Sequence, residues 1–313
     1  MSKQIRADLF LLVITAIWGS SFPLMKNVLE HIPSFAYLAL RFAVAAVILL
    51  FIFRRHLKNI NRKVLVHGFV LGLTLSCGMI LQVTGLYYTT ASNSAFITGL
   101  NVVMVPVISA VLLKKKPGAN SVIGVILAAC GLFFLSGGLS FSLNKGDILT
   151  LIGAVCFAFQ IILIDKFTEK QEPVLLATLE ISFAALVNNG IWLLVERQPV
   201  KFDLTVVITL LITGVFGTAL AYAGQSVVQR FTSPTHTALI FTAEPVFGAI
   251  FAMLIPNSAG ETESLGMYAI LGCVLILLGM IISEIKTEKK QTAHQNSIYG
   301  SHERTLTRET KYR

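Results

Sequence analysis

Long apolar stretches alternate with short polar segments along the chain. Ten of these stretches approach the ~20 residues that a helix needs to cross a hydrocarbon core of ~30 Å. Backbone polar groups cannot stay unpaired in lipid, so we expect each stretch to be a transmembrane helix. The predicted spans are Ala7–Leu29, Pro33–Phe53, Val64–Tyr88, Ser92–Leu113, Ser121–Leu135, Asp147–Ile164, Val174–Val195, Leu204–Gln229, Ser233–Ile255 and Leu265–Ile285.

The composition excludes a soluble globular protein. Hydrophobic residues make up 55% of the chain and charged residues only 13%, whereas soluble domains carry roughly 25% charged residues. The formal net charge of +9 does not indicate nucleic-acid binding, because the basic residues form short runs between apolar segments. Such runs are typical of loops and anchors at a membrane surface, so the lipid bilayer is the expected partner.

The distribution of Lys and Arg predicts the orientation of the chain. With the N-terminus inside, 20 of the 25 basic residues fall in inner segments, four fall in outer loops, and Arg41 lies within a span. Cytoplasmic loops carry the excess of positive charge, so we expect both termini to be cytoplasmic in a plasma membrane such as the bacterial inner membrane. Residues 286–313 are polar and are predicted to form a disordered cytoplasmic tail.

An internal repeat emerges when the two halves of the chain are overlaid. An offset of 143 residues aligns Gln82 with Gln225, Thr89 with Thr232, Ala95 with Ala238, and Asn101 with Glu244. The predicted repeats are residues 1–145 and 146–285, with five helices each. An odd number of helices turns the second repeat upside down, an architecture that recurs in secondary transporters. The sequence therefore predicts an all-α polytopic membrane protein with ten transmembrane helices in two inverted five-helix repeats.

Several short motifs along residues 5 to about 285 resemble the EamA-like branch of the drug/metabolite transporter superfamily. They are Ile17-Trp18-Gly19-Ser20-Ser21-Phe22, Leu40-Arg41-Phe42, Ala91-Ser-Asn-Ser-Ala-Phe-Ile-Thr-Gly99 with Pro106, and Ala243-Glu244-Pro245-Val246-Phe247. The resemblance implies a ten-helix fold and a carrier of small metabolites, often amino acids or related compounds. It does not identify the substrate.

Ionisable side chains well inside the predicted spans mark candidate functional residues, since each must face the bundle interior, water or a partner. Glu244 and its repeat mate Asn101 are both predicted near mid-membrane, where they can bind a polar substrate or, for Glu244, cycle a proton. The alternative is structural: Glu244 caps backbone groups left without a donor by Pro245. Arg41 and Glu180 occupy nearly equivalent places in the two repeats, so they either form an ion pair or bind the two ends of a zwitterion.

Three further side chains are candidates on weaker grounds. Trp18 lies mid-span, away from the interfacial belts where Trp collects, and either stacks on substrate or packs against small neighbours. Gln82 and Gln225 are predicted near opposite membrane faces, where they either line the outer and inner gates or hydrogen-bond between helices. His236 is expected to be a loop histidine in contact with water, with a proton-linked role as the alternative.

The leading functional hypothesis is a secondary-active transporter that exports an amino acid or related metabolite by alternating access. Uptake of a nucleoside, vitamin or other metabolite is the alternative within that class. A non-transporting membrane protein or an intramembrane enzyme is the alternative from another class. The chain contains neither a phosphate-binding loop nor a His-Glu-x-x-His motif, so we expect no enzyme activity, cofactor or metal site. The sequence leaves monomer and homodimer open.

Overall fold

The computed structural model describes residues 3–85, 88–89, 94, 97–114, 116–135, 144–196, 200–256, 262 and 266–284. Ten helical segments follow one another along these residues. They are α1 (Lys3–Val28), α2 (Ser34–Ile52), α3 (Arg62–Gly85), α4 (Asn101–Leu112), α5 (Ala119–Leu135), α6 (Lys145–Thr168), α7 (Pro173–Val195), α8 (Leu204–Leu211, Ile212–Leu220 and Ala221–Val228), α9a with α9b (Pro234–Phe241 and Glu244–Leu254) and α10 (Met267–Glu284). The predicted tail at 286–313 lies outside the described residues.

The helices have the length and surface of membrane spans. Six are long and apolar enough to cross a bilayer, and shorter apolar helices occupy Ile97–Leu112, Ala119–Leu135 and Met267–Ser283. Large apolar side chains are exposed on their outer faces, as at Val47, Leu194 and Met267, where a soluble protein would present polar groups. This confirms the prediction of a polytopic helical membrane protein.

Side-chain caps fix the points at which three of the helices begin. Asn144 and Asp147 form a reciprocal capping box at the start of α6, in which each side chain accepts a hydrogen bond from the other residue's backbone N–H. Asp203 accepts from the N–H of Val206 at the start of α8, and Ser233 caps α9a. These caps satisfy backbone donors that a helix start leaves unpaired.

Helix packing repeats itself when the two halves are exchanged. Helices α2 and α7 pack on each other, as do α5 and α10, and α4 and α9a, so each of these helices meets its own repeat mate. The remaining contacts come in pairs that are interconverted when the two halves are exchanged. The α3–α7 contact corresponds to the α8–α2 contact, α3–α6 corresponds to α8–α1, and α4–α6 corresponds to α9b–α1. This pattern is that of a pseudo-two-fold axis between the halves.

The interface between α5 and α10 depends on paired glycines. A Cβ placed on Gly131 would lie 2.7 Å from the carbonyl oxygen of Gly272, and one on Gly272 would lie 2.5 Å from the carbonyl oxygen of Gly131. Gly124 and Gly279 approach each other in the same reciprocal way. Small residues let membrane helices pack at close backbone distance, so these glycines hold the last helices of the two repeats together.

Candidate functional site

Both repeats contain a helix that begins again in the interior of the molecule. Helix α4 begins at Asn101 after a turn at Leu100, and α9b begins at Glu244 after Thr242 and Ala243 interrupt α9. Asn101 and Glu244 are the residues 143 positions apart in the sequence repeat. Glu244 lies ten residues beyond Pro234, ~15 Å along the helix. Interrupted helices of this kind surround the substrate sites of secondary transporters.

A cavity lies between the two helix starts. Its volume is about 80 Å³. It is lined by Trp18, Ser21, Met25, Arg41, Met79, Gln82, Thr98, Asn101, Phe157, Gln160, Ile161, Tyr222, Phe241 and Glu244. Of the seven residues proposed from the sequence, five line this cavity, and Glu180 and Gln225 do not.

Most of the lining consists of residues that the repeat relates to each other. Helices α1 and α6 align with an offset of 139, and α3–α4 align with α8–α9 with an offset of 143. The lining mates are Trp18 and Phe157, Ser21 and Gln160, Met79 and Tyr222, Thr98 and Phe241, and Asn101 and Glu244. The pseudo-two-fold axis therefore passes through the cavity, and both halves build its wall.

Trp18 forms one side of the cavity and is fixed from three directions. Its ring centroid lies 4.9 Å from that of Phe241, in an edge-to-face arrangement, and 5.3 Å from that of Tyr222. Its Nε1 donates a hydrogen bond to the carbonyl oxygen of Gly217 at 2.8 Å. The ring thus packs against two aromatic neighbours and also lines the cavity.

Arg41 is a buried cation at the same site. Its Nε donates to Oγ1 of Thr218 at 2.7 Å, and its Nη2 donates to the carbonyl oxygen of Gly217 at 3.2 Å. Gly217 and Thr218 belong to the π-helical segment Ile212–Leu220 of α8, and such segments often occur at functional sites because their wider turn redirects backbone carbonyl groups. The π-helical turn of α8 therefore orients the guanidinium beside the cavity.

Glu244 is the acidic residue of the site. It starts α9b, and its carboxylate lines the cavity without a hydrogen bond to any side chain or backbone group in the described part of the chain. The expected structural alternative, capping of groups near Pro245, is therefore not formed here. Glycine at position 19 brings α1 against this helix start, since a Cβ there would lie 2.9 Å from the carbonyl oxygen of Glu244.

Glu180 lies behind the cavity wall. It is fully buried, and its Oε1 accepts a hydrogen bond from Nε2 of Gln160 at 2.9 Å. Among the described residues it makes no ion pair with Arg41, so the expected direct pairing does not form. The separation follows from the packing: Arg41 turns toward α8, whereas Glu180 turns toward α6.

The two glutamines proposed as gates occupy different surroundings. Gln82 lines the cavity and donates to Oγ1 of Thr98 at 2.9 Å. Gln225 is fully buried behind Gln160 and donates to the Oε1 atoms of Gln160 and Gln229, at 3.5 and 3.1 Å. Each therefore forms interhelical or intrahelical hydrogen bonds, and their roles as gates stay predictions.

Polar contacts nearer the helix ends also follow the repeat. At one end, Oγ1 of Thr89 donates to Asp147 at 2.5 Å. At the other, Nδ1 of His236 lies 3.8 Å from Asp8 and 3.0 Å from Oγ1 of Thr232. Asp8 and Asp147 are mates at the offset of 139, and the two threonines are mates at 143. His236 is buried rather than water-exposed as expected, because it packs at the junction of α1 and α9a.

The sequence reasoning missed Phe157, Gln160, Tyr222, Gly217 and Thr218. A signal was available for Phe157, because the repeat register places it opposite the candidate Trp18. Gln160 and Tyr222 lie opposite Ser21 and Met79, which the sequence did not single out. No sequence signal identifies Gly217 and Thr218, since the π-helical turn that presents them is a property of the packed helix. Within the described residues, no group of three or more His, Cys, Asp or Glu side chains is arranged to hold a metal ion.

Comparison with known proteins agrees with this arrangement. The EamA-like transporter family matches the chain twice, over residues 5–137 and 144–284. A transporter of Archaeoglobus fulgidus is 34% identical over 91% of this chain and 87% of its own length. The transporter YyaM of Bacillus subtilis is 25% identical over 95% of this chain and all of its own length. Both relatives are named uncharacterized transporters. A protein of known crystal structure shares the fold, with a TM-score of 0.77 at 15% identity over 91% of this chain and 99% of its own. The chain belongs to the EamA-like transporter family.

Proposed function

We propose that the protein is a secondary-active carrier that exports a small metabolite bearing both a carboxylate and an ammonium group, such as an amino acid. The observation that supports this is the cavity between the repeats, in which Arg41 and Glu244 face the same space. The two side chains also interact electrostatically with each other. A ligand with one charge of each sign satisfies both.

The unused hydrogen-bonding capacity of the cavity supports the same ligand class. A guanidinium has five N–H donors, and Arg41 directs two hydrogen bonds to described residues of α8. The Glu244 carboxylate accepts none from the described residues, and Oδ1 of buried Asn101 also has no partner among them. Buried polar groups normally find partners, so these atoms are suited to a bound carboxylate, ammonium or hydroxyl group.

The size of the cavity limits the ligand. A cavity of about 80 Å³ suits a compact metabolite with few heavy atoms. The aromatic side formed by Trp18, Phe157 and Tyr222 provides an apolar surface for the rest of the molecule.

The repeat provides a route to alternating access. Exchanging the roles of the two halves converts an opening at one end of the cavity into an opening at the other. Thr89 contacts Asp147 at one end, and at the other end His236 contacts both of their repeat mates, Thr232 and Asp8. We infer that these contacts break alternately, and that the basic end is cytoplasmic and contains both termini.

Flux through the purified protein tests the function. Proteoliposomes should accumulate or release a labelled amino acid from a panel that also contains nucleosides and vitamins, with the pH gradient imposed in each direction. Movement of an amino acid supports the proposal, and movement of a nucleoside or vitamin alone replaces the substrate class. The carrier mechanism is rejected if no compound moves in either direction while the protein remains folded.

Substitution of Glu244 tests the recognition of the ammonium group. A hydrogen bond to a charged group contributes ~1.5–3 kcal/mol, so Glu244→Gln should weaken binding of the transported amino acid roughly 10- to 150-fold. Its N-acetylated analogue, which lacks the ammonium, should bind both proteins equally. Glu30→Gln, at an exposed position, is the matched control. Equal binding of the amino acid by all three proteins contradicts this assignment.

A further inference from the structure

Glu180 is a buried carboxyl group that the substrate cavity does not use directly. Its side chain is fully buried within α7, one oxygen accepts from Gln160, and Oε2 has no hydrogen-bond partner among the described residues. No lysine or arginine of the described chain forms an ion pair with it. Ionisable residues within membrane helices commonly mark ion and proton pathways.

A proton is the counter-charge that this environment can provide. An unpaired charge is costly to bury, and the cost is reduced only by a cation, by hydrogen bonds or by neutralisation of the group. Protonation gives the side chain a donor, and that donor requires an acceptor.

Gln160 can serve both forms of the carboxyl group. In the structure its Nε2 donates to Glu180, as an ionised carboxylate requires. If the amide turns over, its Oε1 accepts a hydrogen bond from the protonated acid instead. Gln160 also lines the substrate cavity, and its Oε1 faces Nε2 of Gln225 at 3.5 Å. Turning the amide therefore changes which atoms meet the cavity and Gln225.

We propose that Glu180 is a proton-binding site separate from the substrate cavity, and that the amide of Gln160 couples its protonation to the cavity. The inference rests on the proposed carrier function, for which it identifies the coupling ion. Coupling of this kind is reciprocal, because a proton that changes substrate affinity is itself bound with an affinity that the substrate changes. Glu244 then serves ligand binding, and proton coupling resides one layer behind it.

Other titratable groups surround this site and must be distinguished from it. Tyr222 of α8 interacts electrostatically with Glu180, Arg41 and Glu244. The titratable groups on the surrounding helices are Tyr37 and Arg41 on α2; Arg62, Lys63, His67 and Cys77 on α3; Lys145, Asp147, Cys156, Asp165 and Lys166 on α6; Tyr222 on α8; and Glu244 on α9b. All of them remain in each of the variants below, so the variants differ from the unsubstituted site only at Glu180 or Gln160.

The proton itself is a sufficient probe for the first test. Infrared difference spectra of the purified protein, recorded between acidic and alkaline pH, should contain a carbonyl band from a buried carboxylic acid. Glu180→Gln should remove this band, and Glu30→Gln, at an exposed site, should retain it. If Glu180→Gln does not fold, Glu180→Asp replaces it and should shift the midpoint of the band. An unchanged band in the folded variant overturns the proposal.

Trp18 provides the readout for the coupling. The chain has two tryptophans, so Trp192→Phe leaves Trp18 as a single fluorescent reporter within the cavity. Its emission should follow pH with the midpoint of the infrared band. In this background, Gln160→Met should abolish the emission change and leave the band, because the site is retained and the coupling is lost. Emission that still follows pH in Gln160→Met refutes the coupling. Neither measurement requires transport, so failure here is distinguishable from failure of the flux assay.

Discussion

The close approach of α1 to α9b determines where Glu244 lies, and Gly19 is the residue that permits it. A Cβ at position 19 would lie 2.5 Å from Cβ of Phe247, 2.8 Å from the backbone N of Gly248 and 2.9 Å from the carbonyl oxygen of Glu244. Two of these three atoms belong to the backbone, so a change of side-chain rotamer does not relieve the overlap. Gly19→Ala must therefore move one helix away from the other.

The size of the effect follows from two opposing contributions. Overpacking a well-packed interior costs ~1–3 kcal/mol. Alanine is favoured over glycine in a helix interior by up to ~1 kcal/mol, which partly offsets that cost. Gly190 in α7 has nothing within 4 Å of its Cβ position, so Gly190→Ala gains the helix preference without the overlap. We expect Gly19→Ala to be ~1–3 kcal/mol less stable than Gly190→Ala.

Thermal unfolding in detergent measures this difference. At about 2 °C per kcal/mol for a large domain, the midpoint of Gly19→Ala should lie roughly 2–6 °C below that of Gly190→Ala. Substrate affinity should fall in Gly19→Ala alone, because the displaced α9b contains the Glu244 carboxylate. Equal midpoints and equal affinities in the two variants would show that the α1–α9b contact neither limits packing nor positions the anion.

Two further predictions concern residues of α8. Thr218→Val removes the hydroxyl that accepts from Arg41 and should cost ~1.5–3 kcal/mol, whereas Thr218→Ser should retain most of the stability in the same unfolding assay. The Val206 backbone N–H and the neighbouring His31 hold the pKa of Asp203 below its usual range. Its stabilising contribution is therefore complete above the unfolded-state pKa of ~3.9 and is lost as pH falls through the lower folded-state pKa. Asp203→Asn keeps a helix cap but does not titrate, so the thermal midpoint of this variant should fall less on acidification than that of the unsubstituted protein. Thermal midpoints that fall equally with pH in the two proteins would contradict this.

The fold was predictable because the membrane restricts the choices. Long apolar stretches must form helices in lipid, and the even division of ten stretches into two halves follows from counting them. The interruption of α9 at Thr242 and Ala243 was harder to predict. Pro245 indicates a helix start but does not specify where the preceding turn ends, since Pro is tolerated in the first turn of a helix.

The site was partly predictable for a related reason. Charged residues are costly within a span, so Arg41 and Glu244 are conspicuous in the sequence. Gln160 is not, because a glutamine within a helix is compatible with many structural roles. Its importance appears only when α6 is packed beside α7, where its amide meets Glu180 at 2.9 Å. The direction in which Arg41 turns depends on the π-helical turn of α8, which no sequence pattern indicated.

The cavity combines a symmetric framework with an asymmetric lining. Its helices exchange under the pseudo-two-fold, yet the side chains that the axis relates differ in chemistry. Asn101 corresponds to the anion Glu244, and Trp18 corresponds to Phe157, which has no N–H to donate. Arg41 lines the cavity, whereas Glu180, at the nearly equivalent place in the other repeat, does not. If the lining were as symmetric as the backbone, a zwitterion would bind equally well in two opposite orientations. In the proposed carrier, the unlike mates give a bound zwitterion one orientation, while the like helices allow the path around it to open from either end.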